Sequence, residues 1–209
     1  MSARLPDRSN NFALFLQLIV PPHHGTPSDR SRLLSPHCLI WIVYAEPVTN
    51  ERFDIDAYER RSREGPCFVC LIADGDANQR ADNEVIFEDD EVIVFLDRYP
   101  TVEGYVLVCP RRHVEHVTGD FSEDEYVALQ RWVHRVGEAL RRSVPTERLY
   151  VLSLGSQQGN RHVHWHVVAQ PPGLAYREQQ LGLLAKSIRG VLPFDPARNK
   201  RLANEFAPT

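Results

Sequence analysis

The chain has 209 residues, a formal charge of −4, and 43% hydrophobic against 25% charged residues. That is enough for one well-buried domain with an appendage, at an ordinary soluble composition. The negative balance excludes a general attraction to nucleic acid or an anionic membrane, so any phosphate ligand needs a local site. No run approaches the ~20 apolar residues of a membrane span. Phe12 to Val20 is short and lacks the small-residue cleavage site of a signal peptide. The expected location is cytoplasmic, where Cys38, Cys67, Cys70 and Cys109 stay reduced.

Residues 1–50 read differently from the rest. Six prolines fall within the first 47 positions, and apolar stretches such as Cys38 to Tyr44 lack partners. This stretch is expected to be a poorly ordered extension. Val48-Thr49-Asn50-Glu51 also reads as a start from a valine codon, which leaves open that the upstream part is not native. The organised domain is expected over residues 51–209.

Within it, Cys67-Phe68-Val69-Cys70 carries the two-residue gap with which two thiolates share a tetrahedral metal. A redox pair has the same spacing but follows a strand in a βαβ unit, whereas Gly65-Pro66 precedes this one. Free thiols are the remaining reading. Val85 to Glu88 and Val92 to Asp97 read as strands around an Asp89-Asp90 turn, and Tyr105 to Cys109 as a third. Ser122 and Glu125 form a capping box. Leu129, Val133, Val136 and Leu140 then give the apolar stripe of a helix that ends at Arg141-Arg142. Strands at Leu149 to Leu154 and His162 to Ala169 follow, and Tyr176 to Ile188 reads as a second helix. The expected fold is α+β, an antiparallel five-stranded sheet with two helices.

The densest chemistry lies in His162-Val163-His164-Trp165-His166-Val167-Val168. Strand side chains alternate, so the three histidines share one face and the apolar residues the other. Successive imidazoles then stand roughly 6.5–7 Å apart, close enough to share one phosphate or one metal. A solvent-facing strand could carry histidines idly, but the apolar opposite face seats this one on a core. Imidazole is a competent nucleophile at neutral pH, because part of it is unprotonated there. Three histidines on one strand can also ligate a catalytic ion.

This segment resembles the signature of the histidine-triad family, zinc-binding bacterial type. Ile86 to Asp90, Val94 to Asp97 and Val108 to His113 match the family in order and spacing, so the resemblance spans roughly residues 66–170. It implies a nucleotide-binding α+β fold, a homodimer, and hydrolysis or transfer of nucleoside monophosphates from purine nucleotides or dinucleotides. The family position of the nucleophile is His164. His166 is the candidate for steadying phosphate oxygens or protonating the leaving group. The acid matching Asp97 holds ribose hydroxyls in the family; the alternative is a turn acid before Arg98-Tyr99-Pro100. Phe68, Ile72 and Phe95 align with the base pocket. The family's Gly-Gln-Ser or Gly-Gln-Thr approach is replaced by Gly155-Ser156-Gln157-Gln158-Gly159-Asn160-Arg161, which lacks that hydroxyl; Asn160 or Gln158 is expected to donate instead. Similar proteins complete the cysteine pair with two histidines, which implies a structural zinc on Cys67, Cys70, His113 and His162. A nucleotide-binding regulator without turnover is the alternative function.

Overall fold

A computed structural model describes residues 49–155 and 160–206. The expectation of a disordered or non-native extension covers residues 1–50, of which 1–48 lie outside that range. Five strands form one antiparallel sheet: β1 (Val85–Glu88), β2 (Val92–Leu96), β3 (Tyr105–Pro110), β4 (Arg148–Ser153) and β5 (Trp165–Gln170), ordered β1-β2-β3-β5-β4. The period-2 pattern divides each inner strand between two cores. Val92, Val94, Leu96, Val106, Val108, Trp165 and Val167 join one. Ile93, Phe95, Tyr105, Leu107, Cys109 and Val168 join the other.

The first core is closed by α4 (Glu123–Ser143) and α7 (Pro196–Phe206). As expected, α4 opens on a reciprocal capping box between Ser122 and Glu125 and buries Leu129, Val133, Val136 and Leu140. Each such side chain contributes roughly 1.5–3 kcal/mol of burial. The second core is closed by α2 (Phe68–Ala73), which buries Val69, Ile72 and Ala73. Also present are α1 (Ile55–Glu64), α3 (Ala77–Asp82), α5 (Leu181–Leu184) and α6 (Lys186–Arg189). The expected sheet is therefore found, but two helices is too few.

Two expected elements are corrected. Tyr176 to Ile188 is not one helix: it is a 3-10 turn at Tyr176–Glu178 followed by α5 and α6. Gln180, at φ 54 and ψ −123, and Ala185, at ψ 84, break the helical path. The breaks let the segment turn so that Leu183 is fully buried while Ile188 stays exposed. The histidine strand also starts later than its pattern suggests, at Trp165 and not His162. Its last pair with β3 is Val108 with Trp165. Two residues on, Pro110 has no N–H to offer, and its carbonyl accepts from the His162 ring at 2.9 Å. The alternation of faces nevertheless continues through His162, because Val163 is buried in the α4 core.

Two segments distant in the chain pair with each other. Glu51 and Val191 exchange backbone hydrogen bonds of 2.7 and 2.9 Å. Asn50 donates to the carbonyls of Thr101 and Arg189 at 3.1 and 3.2 Å.

Candidate functional site

The histidine face looks into a cavity of about 400 Å³, within the size range of small-molecule sites. His164 and His166 line it together with Phe68, Asp97, Asn160 and Lys186.

At one end of the cavity, four potential ligand atoms of Cys67, Cys70, His113 and His162 lie within 4.8 Å of one another. Cys67 caps the N-terminus of α2 and Cys70 lies inside it, so a single helical turn brings the two sulfurs together. The far end of α2 is pinned by two arginines. Arg80 donates to the Ile72 carbonyl at 2.8 Å and Arg111 to that of Ala73 at 2.6 Å. Glu88 accepts from both arginines. His113 follows β3 and His162 precedes β5, so the hydrogen-bonded β3–β5 pair fixes their approach.

The separations test whether an ion fits. His162 Nδ1 lies 3.4 Å from Cys67 Sγ and 3.5 Å from Cys70 Sγ, and His113 Nδ1 lies 3.3 Å from Cys70 Sγ. Around a tetrahedral ion with metal–ligand lengths of ~2.3 Å to sulfur and ~2.0 Å to nitrogen, sulfur and nitrogen stand about 3.5 Å apart. Both imidazoles present Nδ1 to the cluster. On the outer side, His162 Nε2 donates to the Pro110 carbonyl and His113 Nε2 lies 3.3 Å from Glu115 Oε1. Such outer partners fix a ligating tautomer. Burial pushes His162 down to about 4, so it is neutral, as a ligand must be. Burial, and then the Cys67 sulfur, pushes the Cys70 thiol up to about 12; a cation between the sulfurs reverses that. The residues fit a metal held by four protein ligands, with no position left open.

The three triad rings do not converge on a single ion. His162 faces the cysteines. His164 directs Nδ1 to the His162 carbonyl at 2.7 Å, which leaves Nε2 as its uncommitted nitrogen. His166 Nδ1 meets the Tyr105 hydroxyl at 3.0 Å. The His164 and His166 rings lie 4.8 Å apart, closer than strand rise alone implies, because the rings tilt toward each other. Burial pushes His164 below its ordinary value and His166 down to about 3. Burial, then Asp97, pushes Tyr105 well up, so the phenol keeps its proton.

Asp97 follows β2 directly and is 6% exposed. It accepts from the Tyr99 backbone at 2.7 Å, which is the turn contact expected of it, but it also faces the cavity. Lys186 of α6 donates to both of its oxygens, at 3.1 and 2.8 Å. Lys186 escaped the reading of the sequence: it is a lone lysine 89 residues from its partner, and no local pattern links them.

The other expected site residues divide. Phe68 lines the cavity, its ring 6.0 Å from that of His164. Ile72 and Phe95 do not line it; both are fully buried, on α2 and β2, in the second core. Leu71 and Leu107 take their place on the wall. Asn160 lines the cavity, but its amide donates to the Tyr58 hydroxyl of α1 at 2.7 Å. Gln158 lies outside the described residues.

A family model described as HIT domain matches residues 78–173. An uncharacterised HIT-like protein from Saccharolobus solfataricus is 30% identical over 105 residues, 49% of this chain and 72% of that protein. The chain belongs to the HIT family. Another HIT relative, Adenosine 5′-monophosphoramidase HINT3 of Xenopus tropicalis, is 27% identical over 137 residues, covering 64% of this chain and 82% of that one. Among solved HIT structures, a Zn-bound histidine triad family protein from Mycobacterium smegmatis shares the fold. Its TM-score is 0.52 at 22% identity, over 68% of this chain and 93% of that chain. The matched HIT segment contains Asp97, His113 and the triad, whereas Tyr58, Cys67, Cys70 and Lys186 lie outside it. No helix among the described residues is long and apolar enough to cross a membrane.

Proposed function

We propose that this HIT protein is a nucleotidyl hydrolase or transferase that attacks the α-phosphate of a purine nucleotide or dinucleotide through His164. The observation that carries this reading is the His164 ring itself: its Nδ1 is tied to the His162 carbonyl, it lies in the cavity wall beside His166, and burial favours its neutral form. With the ring proton on Nδ1, the lone pair sits on Nε2. That nitrogen forms a bond to phosphorus as the bond to the leaving group breaks. With Tyr105 donating to His166 Nδ1, the His166 proton sits on Nε2, where it bonds a phosphate oxygen or passes to the departing group. Water or another acceptor then takes the nucleotidyl group from His164 and returns the free ring. His162 plays no part at phosphorus, because both of its nitrogens are committed.

Asp97 accepts sugar hydroxyls, Phe68 packs on the base, and Asn160 shapes the phosphate side through Tyr58. Nucleoside phosphoramidates and dinucleoside polyphosphates both suit an α-phosphate attack; the phosphoramidase relative favours the former. Cys67, Cys70, His113 and His162 hold a structural zinc, which ties α2 to the ladder. The expected homodimer is supported by the sheet edge at β4, where Val151 and the adjacent Leu154 are 49% and 55% exposed; light scattering of the purified chain reads its mass directly.

The test is His164→Ala assayed on adenosine 5′-phosphoramidate and on a dinucleoside polyphosphate, with the wild type quenched for mass spectrometry. Activity is expected to fall by about four orders of magnitude, with a nucleotidyl adduct on His164 in the wild type. Full turnover by the variant would sink the mechanism. Tight nucleotide binding without product from either substrate would favour the non-catalytic regulator.

A further inference from the structure

Asp97 presents a problem that its neighbours resolve. A carboxylate this buried loses its hydration and drifts toward the neutral acid, which is a weaker acceptor for a hydroxyl. Lys186 is the counter-charge, and it reaches Asp97 from outside the HIT-matched segment. Its side chain is only 16% exposed. Its ammonium lies 5.8, 5.8 and 5.5 Å from the ring centres of Tyr58, Tyr99 and Tyr105, an aromatic enclosure that favours a cation. The enclosure is itself braced, since Phe53 packs on both Tyr58 and Tyr99.

We propose that Lys186 is the positioning residue that makes Asp97 a selective acceptor for a ribose hydroxyl, a role that rests on the nucleotide reading of this cavity. A carboxylate offers about four lone-pair sites. Tyr99 N and Lys186 Nζ occupy Oδ1, and Lys186 Nζ also takes one site on Oδ2. One site on Oδ2 is left for a ligand, and it is fixed in direction because the carboxylate is clamped from two sides. The groups facing Asp97 are Lys186 from α6, the Tyr99 backbone, Tyr105 from β3, His166 from β5 and His164 just before it, whose ring burial also holds below its ordinary value. His166 is neutral and Tyr105 keeps its proton, so Lys186 supplies the one full positive charge. Burial works to raise Asp97, yet the Lys186 charge and hydrogen bonds outweigh it and hold the carboxyl below the usual range.

Calorimetric titration of the full chain with AMP and with 2′-deoxy-AMP, at about pH 6 and about pH 8, tests this. The wild type is expected to prefer AMP by about tenfold or more at both, the worth of one hydrogen bond to a charged acceptor. In Lys186→Met, burial acts on Asp97 unopposed. The preference should shrink to about twofold at the lower pH and partly return at the higher. Lys186→Arg should keep it. Lys186→Gln, which retains a donor without the charge, stands in if the Met variant fails to fold, and it too must lose the preference at the lower pH. A wild-type ratio in either neutral variant at the lower pH would overturn the role, as would a wild type indifferent to the 2′-hydroxyl. Failure of the wild type to bind either nucleotide would overturn the nucleotide reading itself, and this role with it.

Discussion

His162 commits Nδ1 to the cysteine sulfurs and Nε2 to the Pro110 carbonyl, while His164 and His166 each keep one nitrogen free. Residues that look equivalent in a His-x-His-x-His string are thus sorted by what each ring already holds. The sorting has a pH consequence at His166. Burial holds its folded-state ring at about 3, against about 6.5 in an unfolded chain. As pH falls below about 6.5 the unfolded chain takes up the proton first. Stability should therefore be flat above that point and decline through the window down to about pH 3. Thermal melts across this range should show the decline, and His166→Gln should make it shallower, leaving the part that the depressed His162 and His164 contribute. An unchanged slope in that variant would assign the decline to other groups. Asp97 acts at the lower end: its folded carboxyl is depressed, so its contribution is present above the ordinary carboxylate range and is lost as pH falls through its lowered value.

At the scale of elements, the strands were legible because β2 and β3 alternate between two apolar cores, and α4 because it carries both a cap and a stripe. The loop before β3 adds a demand that a pattern does not reveal. Gly104 has φ +77, and a Cβ there would stand 2.9 Å from Val144 and 3.0 Å from Leu140. Gly104→Ala should destabilise the fold by about 1–3 kcal/mol, through left-handed strain and overpacking against α4; the midpoint of denaturant unfolding measures it. Other elements were not legible, for physical reasons. Tyr176 to Ile188 has helical composition, but Gln180 and Ala185 adopt non-helical backbone so that Leu183 reaches the core. Ile72 and Phe95, which the family resemblance places at the base pocket, lie behind the cavity wall, with Phe95 packed on Phe68, because burial decides which side chain shows. The Lys186–Asp97 pair depends on a chain turn that no local signal encodes.

Across the whole molecule, the Cys67–Cys70–His113–His162 cluster joins a short helix to the two strands that carry the site. Short helices have little stability of their own, so α2 depends on this staple and on the Arg80–Glu88–Arg111 bridge. Removing metal with a chelator should lower the melting temperature by about 10 °C or more. Cys67→Ser should behave as the stripped protein does, with about one zinc per chain lost by elemental analysis. Loss of activity with an unchanged melt would instead make the ion catalytic.

The Glu51–Val191 clip has a consequence for how such a protein diversifies. His164 and His166 sit on or beside β5 of the central sheet, whereas Tyr58 and Lys186 belong to the two flanking segments, one after Glu51 and one before Val191, that this clip fastens together. Under the role proposed for Lys186, substitutions in those flanks would change sugar selectivity without touching His164 or His166. A fragment cut to the HIT-matched residues 78–173 would keep His164 and His166 and lose both Tyr58 and Lys186.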